Sequence, residues 1–241
     1  MCLTDAYFFG GIMKIRHLFN GLSKYERGLW LCSSIIIISS FVLSSSTNYL
    51  SLIASLIGVS ALIFVAKGYV IGQILTVVFS IFYGIISFYF QYYGEMITYL
   101  GMTSPIAILT VISWIKNPYG KTSEVAVNQM SKRQIAVMLS LSAVVTIIFY
   151  FILKELDTAN LLISTISITT SFLASYLTLM RSSYYAVAYM ANDVVLIILW
   201  VLATIMDRAY LPMIICFIMF LINDLYGFIN WQKMKKRQSA Y

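Results

Sequence analysis

Eight long apolar runs constrain this chain more than any other feature of its sequence. A helix needs roughly 20 mostly apolar residues to cross the hydrocarbon core of a bilayer. The runs are Leu29–Ser46, Tyr49–Ala66, Val70–Tyr92, Met96–Ile115, Ile135–Phe151, Asn160–Met180, Tyr184–Met206 and Ala209–Trp231. Strands of a membrane β-barrel alternate apolar and polar residues, and these runs do not. The sequence therefore predicts an all-α polytopic membrane protein with about eight transmembrane helices.

Charged residues are scarce along the whole chain. They make up 10% of its 241 residues, whereas apolar residues make up 61%. Soluble domains have about 25% charged and about 45–50% apolar residues. This composition excludes a soluble enzyme and a nucleic-acid-binding protein. We interpret the net charge of +7 as the basic bias of cytoplasmic loops rather than as a surface for nucleic acid.

The basic residues divide unequally between the two sides that eight helices define. Fourteen of the 16 lie at the termini and in alternate connections, namely Lys14, Arg16, Lys24, Arg27, Lys67, Lys116, Lys121, Lys132, Arg133, Arg181, Lys233, Lys235, Lys236 and Arg237. The other connections carry Lys154 and Arg208 beside the acids Glu95, Glu155, Asp157 and Asp207. The positive-inside rule predicts that both termini lie in the cytoplasm, and we expect the protein in the plasma membrane. Trp30, Trp114 and Trp231 then fall at the cytoplasmic interface, where indole rings anchor helices.

The helix pattern divides the chain into six segments. They are a cytoplasmic or interfacial N-terminal segment (1–28), an accessory transmembrane helix (29–46), a first three-helix repeat (49–117), a linker helix (134–155), a second three-helix repeat (160–232) and a basic cytoplasmic tail (233–241). Apolar residues within 1–28 are consistent with a helix on the membrane surface or with a mobile tail, and both alternatives stay open.

An internal duplication underlies this division. The triplets Ile112-Ser113-Trp114 and Ile229-Asn230-Trp231 are each followed two residues later by lysine, and Tyr69 and Tyr185 open equivalent helices. One linker helix between two three-helix units gives both units the same orientation. The sequence thus predicts two parallel bundles, related by a pseudo-twofold axis along the membrane normal, with a solute path between them.

Only two acidic residues, Asp193 and Asp224, fall inside the predicted spans. A charged side chain near the centre of a transmembrane helix costs roughly 2.5–3.5 kcal/mol on the insertion scale, which favours a functional role. Each follows an asparagine, Asn192 and Asn223. These residues can instead form hydrogen bonds that hold helices together, and that alternative stays open.

Aromatic and amide side chains complete the predicted site. Tyr189, Asp193 and Trp200 are spaced to share one face of the seventh helix. Asn223 and Tyr226 come from the eighth helix, and Gln73 is the candidate from the first repeat. Aromatic rings attract cations, and amides and carboxylates bind hydroxyl groups. Together they predict a site for a polar or cationic, ring-bearing solute.

Motifs for catalysis, cofactors and metals are absent from the sequence. There is no Gly-rich phosphate loop of the Walker type. The single histidine, His17, stands alone in the N-terminal segment, so no metal-ligand cluster or catalytic triad can be assembled from it. We therefore predict a protein that is not an enzyme and has no cofactor.

Several stretches resemble one transporter family. The segments are Tyr189-Met190-Ala191-Asn192-Asp193-Val194-Val195 with Trp200, Asn223-Asp224-Leu225-Tyr226-Gly227-Phe228-Ile229-Asn230-Trp231, Tyr92-Tyr93-Gly94-Glu95-Met96 and Trp114-Ile115-Lys116-Asn117-Pro118. They resemble PnuC-type nicotinamide riboside transporters over roughly residues 49–236. The resemblance implies a SWEET-like fold and uptake of this NAD precursor by facilitated diffusion. It also implies trapping of the solute by a cytoplasmic kinase, and members can form homotrimers. Tyr189 stands where many members have tryptophan.

Two other functions stay open at this point. The chain could carry a different vitamin or a deoxynucleoside, or it could be a membrane scaffold or sensor with no flux of its own. Loss of Asp193 would abolish uptake in a carrier, whereas in a scaffold it would change only stability or partner binding.

Overall fold

Eight membrane-length helices make up the described part of the chain. The computed structural model describes residues 21–44, 49–89 and 92–240. The helices are α1 (Lys24–Leu43), α2 (Tyr49–Ala66), α3 (Val70–Tyr89), α4 (Tyr93–Lys116), α5 (Lys132–Glu155), α6 (Leu161–Leu179), α7 (Tyr185–Met206) and α8 (Leu211–Gln238). Each is long and apolar enough to cross a bilayer. The predicted fold class is confirmed, and the protein is a multi-pass membrane protein.

Capping boxes fix the first residues of two helices. The Ser23 hydroxyl accepts a hydrogen bond from the Glu26 amide (3.2 Å), and the Glu26 carboxylate accepts one from the Ser23 amide (2.6 Å). Ser131 and Gln134 form the same arrangement before α5. Such a box satisfies amides that lack a partner in the helix. As a result α1 begins before residue 29, inside the predicted segment 1–28, of which residues 1–20 lie outside the described residues.

The fourth helix departs from regular α-helical geometry. It starts as an α-helix over Tyr93–Ile97, continues as a π-helical turn over Thr98–Thr103 and ends as an α-helix over Ser104–Lys116. Pro105 lies just after the π-helical turn, and because it has no N–H it cannot donate a hydrogen bond back to that turn. π-Helical turns frequently occur at functional sites.

Helix ends that carry most of the basic residues meet at one end of the bundle, here called the basic end. The α4–α5 loop contacts two helix turns there. The Val125 amide donates to the Gly68 carbonyl, and the Asn128 amide donates to the Arg181 carbonyl, both at 2.9 Å. Gly68 (φ 70°) and Arg181 (φ 56°) both adopt the left-handed conformation. The α2–α3 and α6–α7 turns are therefore alike, as the duplication predicts.

Two buried tryptophans link the repeats reciprocally. The Trp114 indole on α4 donates to the Thr178 carbonyl at the end of α6 (3.1 Å), and the Trp231 indole on α8 donates to the Val65 carbonyl at the end of α2 (2.9 Å). Their ring centroids lie 5.5 Å apart. At 1% and 0% exposure, these rings are not interface anchors, and that prediction was wrong for both. Exchange of equivalent contacts supports the division into two repeats, which stays a prediction.

Candidate solute-binding site

A cavity of about 60 Å³ lies between the two repeats. All six repeat helices line it: Gly58, Ala61, Leu62 and Val65 from α2; Gln73, Thr76 and Phe79 from α3; Tyr99 and Thr103 from α4; Ser171 and Ser175 from α6; Tyr185, Tyr189, Asn192 and Asp193 from α7; and Phe217, Phe220 and Asp224 from α8. None of the described residues of α1 or α5 lines it. This volume holds a few water-sized groups, so a solute would need the lining side chains to move apart. We call it the central cavity.

The central cavity holds a pair of carboxyl groups. Asp193 and Asp224 are 3% and 2% exposed, and their side chains lie within hydrogen-bonding reach of each other. An ionised carboxylate cannot donate a hydrogen bond, and two adjacent carboxylates do not both ionise readily. At least one of the two is therefore expected to be protonated. No lysine, arginine or histidine lies among the described residues that line the cavity.

Three more predicted residues reach the central cavity, namely Gln73, Tyr189 and Asn192. The Asn192 side-chain oxygen accepts hydrogen bonds from the hydroxyls of Thr170 (2.9 Å) and Ser171 (3.0 Å) on α6. These bonds fix the orientation of the amide. Gln73 is 3% exposed and comes from the first repeat, so polar groups of both repeats face the same space.

Aromatic rings flank the central cavity on its sides towards both ends of the bundle. Towards the basic end, Tyr185 packs on Trp231 with ring centroids 4.8 Å apart. Gly227 makes this possible, because a Cβ there would lie 2.8 Å from the Tyr185 hydroxyl. Towards the opposite end, Tyr83 and Tyr99 lie 4.4 Å apart. In this structure the cavity therefore lies between two aromatic layers.

Three predicted site residues do not line the central cavity. Asn223 donates to the Ser33 hydroxyl of α1 (3.0 Å), and Tyr226 donates to the Glu26 carboxylate of α1 (2.5 Å). Both hold α1 against α8. Trp200 donates to the Tyr83 hydroxyl (3.0 Å) in the aromatic layer towards the opposite end. Asn223 and Tyr226 therefore share a face of α8 that is turned to α1 and away from the central cavity.

A substitution of Tyr226 separates helix packing from solute binding. Tyr226→Phe removes a hydrogen bond to a charged group, which contributes roughly 1.5–3 kcal/mol. Glu26 keeps its ion pair with Lys67 (3.3 Å). We expect a lower melting temperature of the purified protein and solute affinity unchanged within about twofold, since RT ln 2 is only about 0.4 kcal/mol. A large loss of affinity with an unchanged melting temperature would show that Tyr226 contributes to solute binding and not to helix packing.

Sequence reasoning missed several groups that the structure brings together. Tyr99, Ser171 and Ser175 line the central cavity, and Tyr185 was noted only as a mark of duplication. Glu95 was placed in a connection, yet it is 7% exposed within α4, and the assignment of only two acids to the spans was wrong. Glu26 is likewise buried within α1. The four-residue spacing of Glu95 and Tyr99 was a usable signal for one buried helix face.

Comparison with known protein families identifies the relatives of this chain. A family model described as "Nicotinamide mononucleotide transporter" matches residues 48–233, which is more than half of the chain. The chain belongs to this family. The match spans both three-helix repeats and stops before the last residues of α8.

Individual relatives agree with that assignment. The chain is 26% identical over 93% of its length to a nicotinamide riboside transporter PnuC from Neisseria mucosa, covering 87% of that protein. It is 22% identical over 87% of its length to one from Haemophilus influenzae, covering 90% of it. A solved structure, described as the crystal structure of the Vitamin B3 transporter PnuC, superposes with a TM-score of 0.81 at 26% identity. That likeness covers 92% of this chain and 97% of the other.

Proposed function

We propose that this protein transports nicotinamide riboside across the membrane. The observation that carries the proposal is the carboxyl pair Asp193–Asp224 in a cavity lined by aromatic rings between two repeats. Nicotinamide riboside has a cationic pyridinium ring and a ribose with several hydroxyls. Ring faces suit the pyridinium, and carboxylates and amides suit the hydroxyls.

Charge balance favours a singly charged cation. With one of the two carboxyl groups ionised, the pair carries one negative charge, which one pyridinium neutralises. A loaded cavity would then be neutral overall, and a neutral cavity costs less to hold inside the membrane than a charged one. The balance needs no second ion, so it supports facilitated diffusion of the riboside, with trapping by a cytoplasmic kinase.

Placement in the plasma membrane follows the same proposal. The basic end would face the cytoplasm by the positive-inside rule, with both termini there, and the opposite end would face outside. Exposed apolar residues of α5 such as Leu139, Ile147 and Phe151 would contact lipid. Assembly into a homotrimer, which the resemblance implies, stays a prediction that the mass of the purified protein would test.

Uptake by proteoliposomes tests the proposal directly. Purified protein should bring internal nicotinamide riboside up to the external concentration and no further, whereas liposomes that enclose a riboside kinase and ATP should accumulate it as the phosphorylated product. Thiamine, riboflavin and deoxyuridine serve as competitors. If the protein takes up one of these competitors and not the riboside, that competitor is the substrate. No uptake of any of them by folded protein would favour a scaffold or sensor.

A further inference from the structure

A second cavity, of about 20 Å³, lies towards the opposite end of the bundle and is separate from the central cavity. It is lined by Tyr92, Gly94, Glu95, Thr158, Ala159, Asn160, Ser164, Leu196, Leu199 and Trp200. None of these residues lines the central cavity. This volume holds one or two water-sized groups, so a larger ligand would need the surrounding side chains to move apart. We call it the access cavity.

Two buried polar atoms at the access cavity lack partners. Glu95 is 7% exposed, and its Oε1 accepts a long hydrogen bond from the Ser167 hydroxyl (3.4 Å). Its Oε2 and the Thr158 hydroxyl oxygen are buried and have no hydrogen-bond partner among the described residues. Buried polar atoms without partners are costly. Two of them at one cavity point to a ligand that supplies the missing bonds.

Aromatic rings form another part of the wall. The Tyr92 ring packs on Trp200 with centroids 5.3 Å apart, and Tyr210 lies 5.6 Å from Trp200. Burial raises the pKa of the Tyr92 hydroxyl, and Tyr210 adds to the rise, so the phenol stays neutral. Neutral rings beside a carboxylate suit a cation with an aromatic ring.

Local backbone geometry keeps the α5–α6 loop close to Glu95. A Cβ on Gly94 would lie 2.7 Å from Leu153 and 3.3 Å from Thr158, so the close approach of α4 to this loop requires glycine. Asp157 (φ 50°) and Asn160 (φ 55°) both adopt the left-handed conformation, which suits these residue types better than most. The loop thus holds Thr158 over the cavity.

The wall between the two cavities is a short chain of aromatic contacts. Trp200, on the access cavity, donates to the Tyr83 hydroxyl (3.0 Å). The Tyr83 ring lies 4.4 Å from Tyr99, which lines the central cavity. Displacement of these rings would connect the two spaces. A solute held beside Glu95 is therefore one aromatic layer away from Asp193.

We propose that the access cavity is a second binding site, in which Glu95 holds a cationic aromatic solute before it passes to the central cavity. The proposal rests on the proposed function for the identity of the solute. Exposed acids Glu155, Asp157 and Asp207 outnumber Lys154 and Arg208 at this end of the described chain, which favours the approach of a cation.

Thiol labelling reports occupancy of the access cavity without using transport. Ala159 is exposed and lines this cavity, so Ala159→Cys places a thiol there for a membrane-impermeant methanethiosulfonate reagent. The parent chain gives the background. Nicotinamide riboside is expected to slow the labelling, and to do so also in the Asp193→Asn background, where the central site is impaired.

Glu95→Gln then tests the carboxylate. We expect the riboside concentration for half-maximal protection to rise about tenfold or more, because a charge-assisted contact is lost. Glu155→Gln, the same change at an exposed position that does not line the access cavity, should shift this concentration by less than about twofold, because solvent and salt screen an exposed charge. Calorimetric binding to the central cavity should survive Glu95→Gln within about twofold.

The outcomes separate the two proposals. Central binding of the riboside without any protection of the introduced thiol would overturn the access site and keep the proposed function. Equal protection in the Glu95→Gln and parent backgrounds would overturn the role of Glu95. Absence of riboside binding at either cavity would overturn the proposed function, and the access site with it.

Discussion

Asp193→Asn is expected to abolish uptake of nicotinamide riboside while the protein remains folded. Removing one partner of a buried, hydrogen-bonded charge pair costs about 2–5 kcal/mol, which corresponds to roughly 30-fold to several-thousand-fold weaker binding. Asparagine has nearly the same shape as aspartate, so packing around α7 is preserved. The checks are initial uptake rates in proteoliposomes and calorimetric affinity in detergent.

The melting temperature of Asp193→Asn, in contrast to its uptake, should stay the same or rise. Asp193 has an oxygen without a donor among the described residues, and burying an ionisable pair carries a desolvation cost. An unchanged or raised melting temperature together with lost uptake would therefore identify Asp193 as a binding group. Asp157→Asn provides the matched control, since Asp157 lies exposed in the α5–α6 loop. Retained uptake in Asp193→Asn, or uptake lost only through unfolding, would contradict the assignment.

The fold could be predicted because it depends on features that one sequence displays. Helix length and hydropathy are set by bilayer thickness. The concentration of basic residues in alternate connections indicated eight transmembrane helices. The duplication could be found because Trp114 and Trp231 each terminate a repeat. Their actual role could not be predicted, since a tryptophan that anchors at an interface and one that bonds the backbone of another helix have the same local sequence.

The site was predicted in part, and the errors have a geometric cause. Successive residues of an α-helix point about 100° apart. Because Asp224 faces the central cavity, its neighbour Asn223 must point elsewhere, and it bonds Ser33 of α1. Assigning both Asn223 and Asp224 to one site ignored the angle of about 100° between neighbouring residues. Trp200 shares a face with Asp193 but lies about 10 Å further along the axis, which places it in the next cavity. Glu95 was missed because the preceding helix was extended to Tyr92 and the fourth helix was started at Met96.

Nicotinamide mononucleotide is expected to bind at least about a thousandfold more weakly than the riboside, although the family model carries its name. The two solutes differ by one phosphate group. That group would enter a cavity with two carboxyl groups and no lysine, arginine or histidine among its described lining residues. Repulsion between unit charges 4 Å apart costs about 4 kcal/mol at an effective dielectric constant of 20, which is roughly a thousandfold in affinity.

Competition experiments measure this discrimination, and a double variant tests its cause. Excess mononucleotide should leave riboside uptake almost unchanged, whereas unlabelled riboside should compete fully. In Asp193→Asn/Asp224→Asn the pair can no longer ionise, so riboside affinity should fall and the ratio between the two affinities should shrink. Equal competition by the mononucleotide in the parent chain would contradict the argument, because the phosphate would then need a positive partner that the described cavity lacks. A ratio that is unchanged in the double variant would show that shape, and not the carboxyl pair, excludes the phosphate.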